Sequence, residues 1–483
     1  MARNPYRPRP INLGLGNPKK RIDIMDQLYC FSVGESNYTY DSRRDTLYRN
    51  IMPSDSCIRQ DRIILHKQTP KIFSNCIELK NLILQVCMSC NMACKYCFYS
   101  DAYDNRKMDN SLMSYDMAKK AIAFAEKHTK SKNLVIGFYG GEPLINFSLI
   151  KRIVGYIRKE TRLIPKFYIT TNLTLFNEEI GEFLQKNNFT IKVSLDGNRV
   201  QHDCNRVFRD GSGTFDVVLS KIRLIKSKFP QLLKNLLFNA VVTSSWSQRS
   251  ADTFFNQYEE FDINGARIPY YLTTLKNGIK NEVYLQSKRT EAVNKFLVRM
   301  EKNQLIFKYI VLIYLIEYKL FNIGTPSPYF QRYKLDEHIL NVFSAVQEKD
   351  EVDDRVWQHT EIVHHSGPCI PGFDRLFITT TGKFYPCEKV SETCEDYIIG
   401  DLDNGYNYSN IVNLLNIGWY TRNHCKHCWA IRFCNFCAAM CENEGKITTN
   451  TVNDCCNKQI EVIKSQFEFV AMVLERRKEK TVD

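Results

Sequence analysis

The chain has 483 residues, 44% hydrophobic and 25% charged, an ordinary globular balance with enough length for two or three domains. A formal net charge of +13 favours an acidic partner without choosing among nucleic acid, nucleotide and acidic peptide. A membrane span is excluded from the expectation: the best candidate, Leu305 to Phe321, carries Lys308, Glu317 and Lys319 and falls short of the ~20 apolar residues required.

In chain order, residues 1–26 are basic, rich in Pro and Gly, and lack an apolar signal region, so they read as a flexible arm of a cytoplasmic protein. Residues 27–80 hold short alternating runs such as QLYCFSV and RIILHKQ and predict a small β-rich N-terminal element. Residues 81–285 alternate strand and helix. The strand-like runs are Leu82–Val86, Leu134–Tyr139, Lys166–Thr171, Thr190–Leu195, Leu236–Thr243 and Arg267–Thr274, separated by helical runs such as Met117–His128 and Phe215–Ser227. Six such units predict an α/β fold, a partial (β/α)6 TIM-type barrel, with its active site at the C-terminal ends of the strands. Residues 286–360 predict a helical bridge, 361–460 a cysteine-rich domain and 461–483 a C-terminal helix.

Eighteen cysteines are many for a reducing compartment, where clustering points to metal rather than disulfides. Cys90, Cys94 and Cys97 form a CxxxCxxC loop directly after the first barrel strand, and ten more lie between Cys369 and Cys456. Three thiolates suit three irons of a cubane 4Fe–4S cluster and leave the fourth iron open, whereas zinc asks for four ligands, usually in two CxxC-like pairs. Cys87 is a conceivable fourth zinc ligand but lies on the incoming strand.

With FYGGEP at Phe138–Pro143 downstream of this loop, the chain resembles the radical S-adenosylmethionine (SAM) superfamily over most of residues 82–456. The resemblance implies that the backbone of Gly140, Gly141, Glu142 and Pro143 holds the cofactor's amino group, with Glu142 able to accept from the ammonium. It also implies that Asn172 in TTN, Ser194 and Asp196 in VSLDG, and Arg206 in HDCNRVF line the cofactor. Arg206 suits the carboxylate because its planar fork meets one bidentately, and Tyr96 is placed near the adenine.

The C-terminal pattern, from Cys369 through Gly382 to Cys387 and then CKHCWAIRFCNFCAAMC, resembles the superfamily's SPASM extension, which carries auxiliary 4Fe–4S clusters. The resemblance implies two. Cys425, Cys428 and Cys434 would hold the outer one, with Cys455 or Cys456. Cys369 and Cys387 would start the inner one, with Cys437 or Cys441 added; Cys394 could complete it, or one iron stays open to a substrate thiolate. The family pattern expects a cysteine where this chain has Ala438, so the crossover ligand stays open. Cys30, Cys57, Cys76 and Cys204 read as ordinary thiols.

A SPASM extension implies a peptide substrate. The chain resembles the maturases of ribosomally made peptides, which implies an oxidoreductase that installs a cross-link, most plausibly a thioether and otherwise carbon–carbon, in a precursor peptide with a leader. Partners would include an electron donor such as flavodoxin or ferredoxin, with neither membrane nor nucleic acid. The alternative is an anaerobic sulfatase-maturating enzyme making formylglycine. That family places Asp directly after the equivalent of Cys387, where this chain has Glu388, the candidate catalytic base. A zinc-bound nucleic-acid binding protein is the distant alternative, and it leaves CxxxCxxC followed by GGEP unexplained.

Overall fold

The computed structural model describes residues 28–33, 35–42, 46–50, 78–97, 99, 106, 109–242, 254–255, 258, 261–263, 266–267, 270–274, 369–434 and 437–481. The arm at 1–26, the bridge at 286–360, Cys57 and Cys76 lie outside these residues.

The first three strands, β1 (Leu28–Val33), β2 (Ser36–Asp41) and β3 (Thr46–Arg49), make an antiparallel sheet in that order. The next five are β4 (Asn81–Cys87), β5 (Val135–Gly140), β6 (Lys166–Thr171), β7 (Thr190–Ser194) and β8 (Leu236–Val242). They pair in parallel, each with its successor. A short hairpin, β9 (Asp262–Ile263) and β10 (Ala266–Arg267), precedes β11 (Tyr270–Thr274), which adds in parallel to β8. These are the six strands of an open, partial barrel.

Helices return the chain between strands because their apolar residues recur on one side. In α1 (Tyr115–Lys127) these are Ala118, Ala121, Ile122 and Ala125, and Ser114 caps the helix by accepting from Met117 N at 3.1 Å. In α2 (Phe147–Glu160) they are Leu149, Ile150, Ile153, Val154 and Ile157. Helices α3 (Glu178–Lys186), α4 (Arg199–Asp203), α5 (Phe215–Lys228) and α6 (Pro230–Leu233) follow. The strands bury alternate residues beneath this layer: Phe167 and Ile169 in β6, Ile191 and Val193 in β7. The other alternates, including Tyr139, Tyr168, Thr170, Lys192 and Ser194, are only partly covered and face the barrel lumen.

The cysteine-rich region is continuous with the barrel sheet. Strand β12 (Leu376–Ile378) pairs in parallel with the free edge of β4, Leu376 opposite Leu82 and Ile378 opposite Leu84. Strands β13 (Lys383–Tyr385), β14 (Gly400–Asp401) and β15 (Gly405–Tyr406) extend it antiparallel, giving a ten-stranded sheet. Helices α7 (Tyr408–Leu415) and α8 (Arg422–Cys425) and a hairpin of β16 (Glu442–Asn443) and β17 (Lys446–Ile447) lead to α9 (Thr449–Thr481). Helix α9 therefore starts well before the expected boundary at 461 and carries Cys455 and Cys456 on its first turns. The capping threonine pair Thr448 and Thr451, whose backbone amides and hydroxyls bond reciprocally, sets this earlier start.

The N-terminal sheet docks on this end of the molecule through aromatic rings. Tyr29 stacks on Trp429 with centroids 4.2 Å apart. The fully buried Phe467 of α9 lies 5.3 Å from Tyr40, 5.7 Å from Trp429 and 5.0 Å from Phe433. Phe467→Ala is expected to cost about 3–5 kcal/mol. Hydrogen exchange should then quicken in β1 and β2 while β5 to β7 keep their protection; unchanged exchange in β1 and β2 would refute this docking.

Candidate active site at the barrel rim

The loop after β4 carries Cys90, Cys94 and Cys97, and it is fixed from two sides. Ala93 N donates to Val207 O at 2.8 Å, Lys95 N to Asn205 O at 3.0 Å, and Arg209 Nη2 to Cys90 O at 2.8 Å. On the other side Gly141 N donates to Cys87 O at 3.1 Å and Glu142 N to Ser89 O at 3.0 Å. Both glycines of GGEP are required by this approach. A Cβ on Gly140 would sit 2.1 Å from Cys87 O, and one on Gly141 2.2 Å from Ser89 O. Burial pushes the Cys90 thiol up to about 12 and Cys94 to about 11. Cys87 does not join the three: its thiol donates to Glu142 O at 3.0 Å.

Several of the expected cofactor residues have partners within the protein. Glu142 is fully buried, and its carboxylate accepts from Leu144 N at 3.0 Å, Thr171 Oγ1 at 2.7 Å and Asn172 N at 2.7 Å. It clamps the ends of β5 and β6. Pro143, also buried, opens a short 3-10 turn over Pro143–Asn146. Asp196 accepts from the Tyr96 hydroxyl and from Val241 N at 2.8 Å, and pairs with Arg206 Nε at 3.0 Å. Tyr96, Asp196 and Arg206 are thus partners of one another beneath the cysteine loop, where a buried arginine needs a counter-charge more than a surface one does. Buried His202 braces the same segment, accepting from Asp196 N at 3.3 Å and pairing through Nε2 with Thr214 Oγ1 at 2.9 Å. Asn172 stays at the loop, donating to Asn91 Oδ1 at 3.0 Å with its amide 3.7 Å from Cys90 Sγ. Ser194 stands at the lumen end of β7.

The C-terminal cysteines fall into groups. Cys425, Cys428, Cys434 and Cys456 line one cavity with Ala430, Ile431 and Ile463. Cys369, Cys387 and Cys437 influence one another electrostatically. Cys441 and Cys455 share a hydrogen bond, which raises the Cys441 thiol, so they face each other. Cys394 lies by Asp396, 4.0 Å from Oδ2, and acts on Tyr397 together with Cys441 and Cys437. Cys30 contacts Thr39 at 3.7 Å and Cys204 is exposed. Among the described residues, no group of three or more His, Cys, Asp or Glu side chains is drawn in tightly enough to hold a single metal ion.

Strand β12 brings a polar set into the lumen, of which the sequence pointed only to Glu388. Gln85 donates to Tyr99 OH at 3.1 Å and to Glu392 Oε1 at 2.9 Å, and accepts from Thr380 N at 3.1 Å. Arg106, itself buried, lies 2.6 Å from Glu392 Oε1, 4.7 Å from the Tyr99 ring centre, and donates to Glu388 O. Glu388 pairs through both oxygens with Arg375, at 3.2 and 3.3 Å. Although burial acts to raise it, Arg375 and neighbouring lysines hold Glu388 down at about 2. The signal for this set was present: Gln85, Lys192 and Asn239 interrupt strands that would be continuously apolar if buried on both faces.

Residues 84–242 match the radical SAM superfamily. The chain carries a radical SAM domain. It is 32% identical over 152 residues to a cysteine-type anaerobic sulfatase-maturating enzyme of Clostridium novyi, covering 31% of this chain and 40% of that one. It is 29% identical over 200 residues to the radical SAM cyclopropyl synthase TigE of Paramaledivibacter caminithermalis, 39% of each chain. The chain thus spans about two fifths of the length of these curated relatives. The solved structure of native anSMEcpe with bound AdoMet superposes with a TM-score of 0.54 at 17% identity, covering 81% of this chain and 99% of that one, a likeness of fold.

Burial raises Glu142 to about 7 from its ordinary 4.5, so the folded protein holds a proton that the unfolded chain releases. Its contribution is full below about pH 4.5 and is lost as pH rises through 7. In denaturation of iron-free protein between pH 5 and 8, Glu142→Gln should flatten a slope worth up to about 3 kcal/mol. A slope that persists in the variant would assign it elsewhere.

Proposed function

We propose that this protein is a radical SAM enzyme that installs a cross-link, a thioether in the first instance and otherwise carbon–carbon, in a ribosomally made precursor peptide. One observation carries the reading: β12 and β13 deliver Cys387 and Glu388 of the C-terminal region to the same lumen that the Cys90–Cys97 loop caps. A peptide residue in that lumen would lie between two thiol-rich centres. A cross-link removes two hydrogens from the peptide, so a centre able to take an electron beside the lumen suits the reaction.

The thiols fit the groups proposed for them. Cys90, Cys94 and Cys97 would hold a 4Fe–4S cluster, with Gly140, Gly141, Asn172 and Ser194 at the rim to orient S-adenosylmethionine; together these groups supply a 5′-deoxyadenosyl radical for hydrogen abstraction. Cys425, Cys428, Cys434 and Cys456 would hold the outer auxiliary cluster. Cys369, Cys387 and Cys437 would hold the inner one, with Cys441 and Cys455 next in reach. Tyr96, Asp196 and Arg206 fix the cysteine loop. Glu388 orients Arg375 at the lumen; held at about 2, it is a weak base near neutral pH. A flavodoxin or ferredoxin would supply reducing electrons in the cytoplasm. The N-terminal sheet, docked on Trp429 and Phe467, would take the leader.

A second reading, formylglycine formation on a sulfatase, draws on the Clostridium novyi relative and on the anSMEcpe structure solved with AdoMet and a Cp18Cys peptide.

Reconstituted protein with dithionite should cleave S-adenosylmethionine to 5′-deoxyadenosine. Replacing Cys90, Cys94 and Cys97 by Ala should abolish this while about two thirds of roughly twelve irons remain. Zinc without acid-labile sulfide would overturn every cluster assignment. Mass spectrometry of the precursor encoded beside the gene should show a loss of two hydrogens per cross-link, with one Cys protected from alkylation if it is a thioether. An unchanged precursor together with conversion of a sulfatase Cys or Ser to formylglycine would establish the second reading.

A further inference from the structure

Lys192 lies on the lumen face of β7, opposite Thr170 of β6 and Leu237 of β8. Ser194, at the rim, is one lumen layer above it, roughly 7 Å along the strand. Its ammonium sits 4.9 Å from the centre of the Tyr168 ring. Among the described residues it makes no hydrogen bond and no ion pair.

Among the described residues, the charges around it do not balance. Glu388 is the carboxylate that feels Lys192, and Arg375 already occupies both its oxygens at 3.2 and 3.3 Å. Lys389 adds a further positive charge beside Glu388. Arg375 and Lys389 also act on Cys387. Lys192 is different: the groups that act on it are Glu388, Arg375 and Lys389, with no cysteine among them. A partly covered cation in the lumen with no counter-ion among the described residues is open to an anionic partner. Burial lowers its pKa.

We propose that Lys192 binds a carboxylate of the peptide substrate, an aspartate or glutamate close to the residue being modified. The inference rests on the peptide reading above. It adds a specificity: an acidic side chain enters the lumen, lies against Tyr168 and completes the charge of Lys192. The cofactor also carries a carboxylate, but the expected rim residues stand a layer higher.

The test uses anaerobically reconstituted holoenzyme and two pools of capped hexapeptides with a central Cys or Ser. One pool carries Asp or Glu at the flanking positions, and the other carries Asn or Gln there. The acidic pool should be retained about tenfold more strongly. Lys192→Met should abolish that preference and Lys192→Arg should keep it, while S-adenosylmethionine binding by equilibrium dialysis stays within about twofold in both. Should Lys192→Met fail to fold, Lys192→Gln takes its place. Equal retention of the two pools, or an acidic preference that survives loss of the ammonium, overturns the proposal. Loss of S-adenosylmethionine binding in Lys192→Met without any acidic preference overturns it too, and assigns Lys192 to the cofactor. The chemistry is read separately on the leader-bearing precursor: acid-selective, Lys192-dependent retention of the hexapeptides together with an unchanged precursor mass leaves this inference standing and removes the cross-linking reading.

Discussion

The parallel pairing of Leu376–Ile378 with Leu82–Leu84 is the constraint on which the site depends. Without it, β4 would end the sheet with open backbone groups, and the cysteine-rich region would be a separate body. With it, the turn after β13 falls where Arg375 and Glu388 meet Tyr168 and Lys192. The same pairing brings Glu392 to Gln85 and Arg106. Three short strand residues therefore decide whether the two cysteine-bearing regions share one lumen.

Around that lumen, charge is handled in closed pairs. Asp196 with Arg206, Glu392 with Arg106 and Glu388 with Arg375 each combine a buried or half-buried arginine with a carboxylate, and Arg106 and Glu392 do so across roughly 290 residues of chain. Such pairs add little net stability compared with apolar packing, but removing one member is severe because it strands the other. Their value here is positional. The first holds the segment under the cysteine loop to the end of β7, the second holds the C-terminal region to the barrel side, and the third fixes Glu388 within the C-terminal region.

Much of the architecture was legible in the sequence. β-branched and aromatic runs placed Lys166–Thr171 without error and most other strands within a residue or two, because alternation and length are local properties. GGEP and CxxxCxxC were legible because close backbone approach and iron ligation tolerate few residue types. What was not legible depends on contacts distant in sequence. Nothing local says that Glu142 will spend its carboxylate on Thr171 and Asn172, or that Arg206 will turn to Asp196. The addition of β12 to β4 was equally hidden, since LFI reads as any short apolar run. Cys456 and Cys455 could not be separated by spacing; the helical turn of α9, which sends adjacent side chains in different directions, separates them.

The order of synthesis gives the β12 pairing one more consequence. The ribosome completes β4 roughly 290 residues before its partner strand, and at about 5–20 residues per second the nascent edge waits tens of seconds. During that interval NLILQVC is an apolar strand with one side unpaired, the kind of template that recruits other chains. The cysteine loop that follows it emerges in the same unprotected window. Production of intact protein should therefore respond to translation speed and to chaperones that shield strand edges, and iron delivery would best follow release of the finished chain.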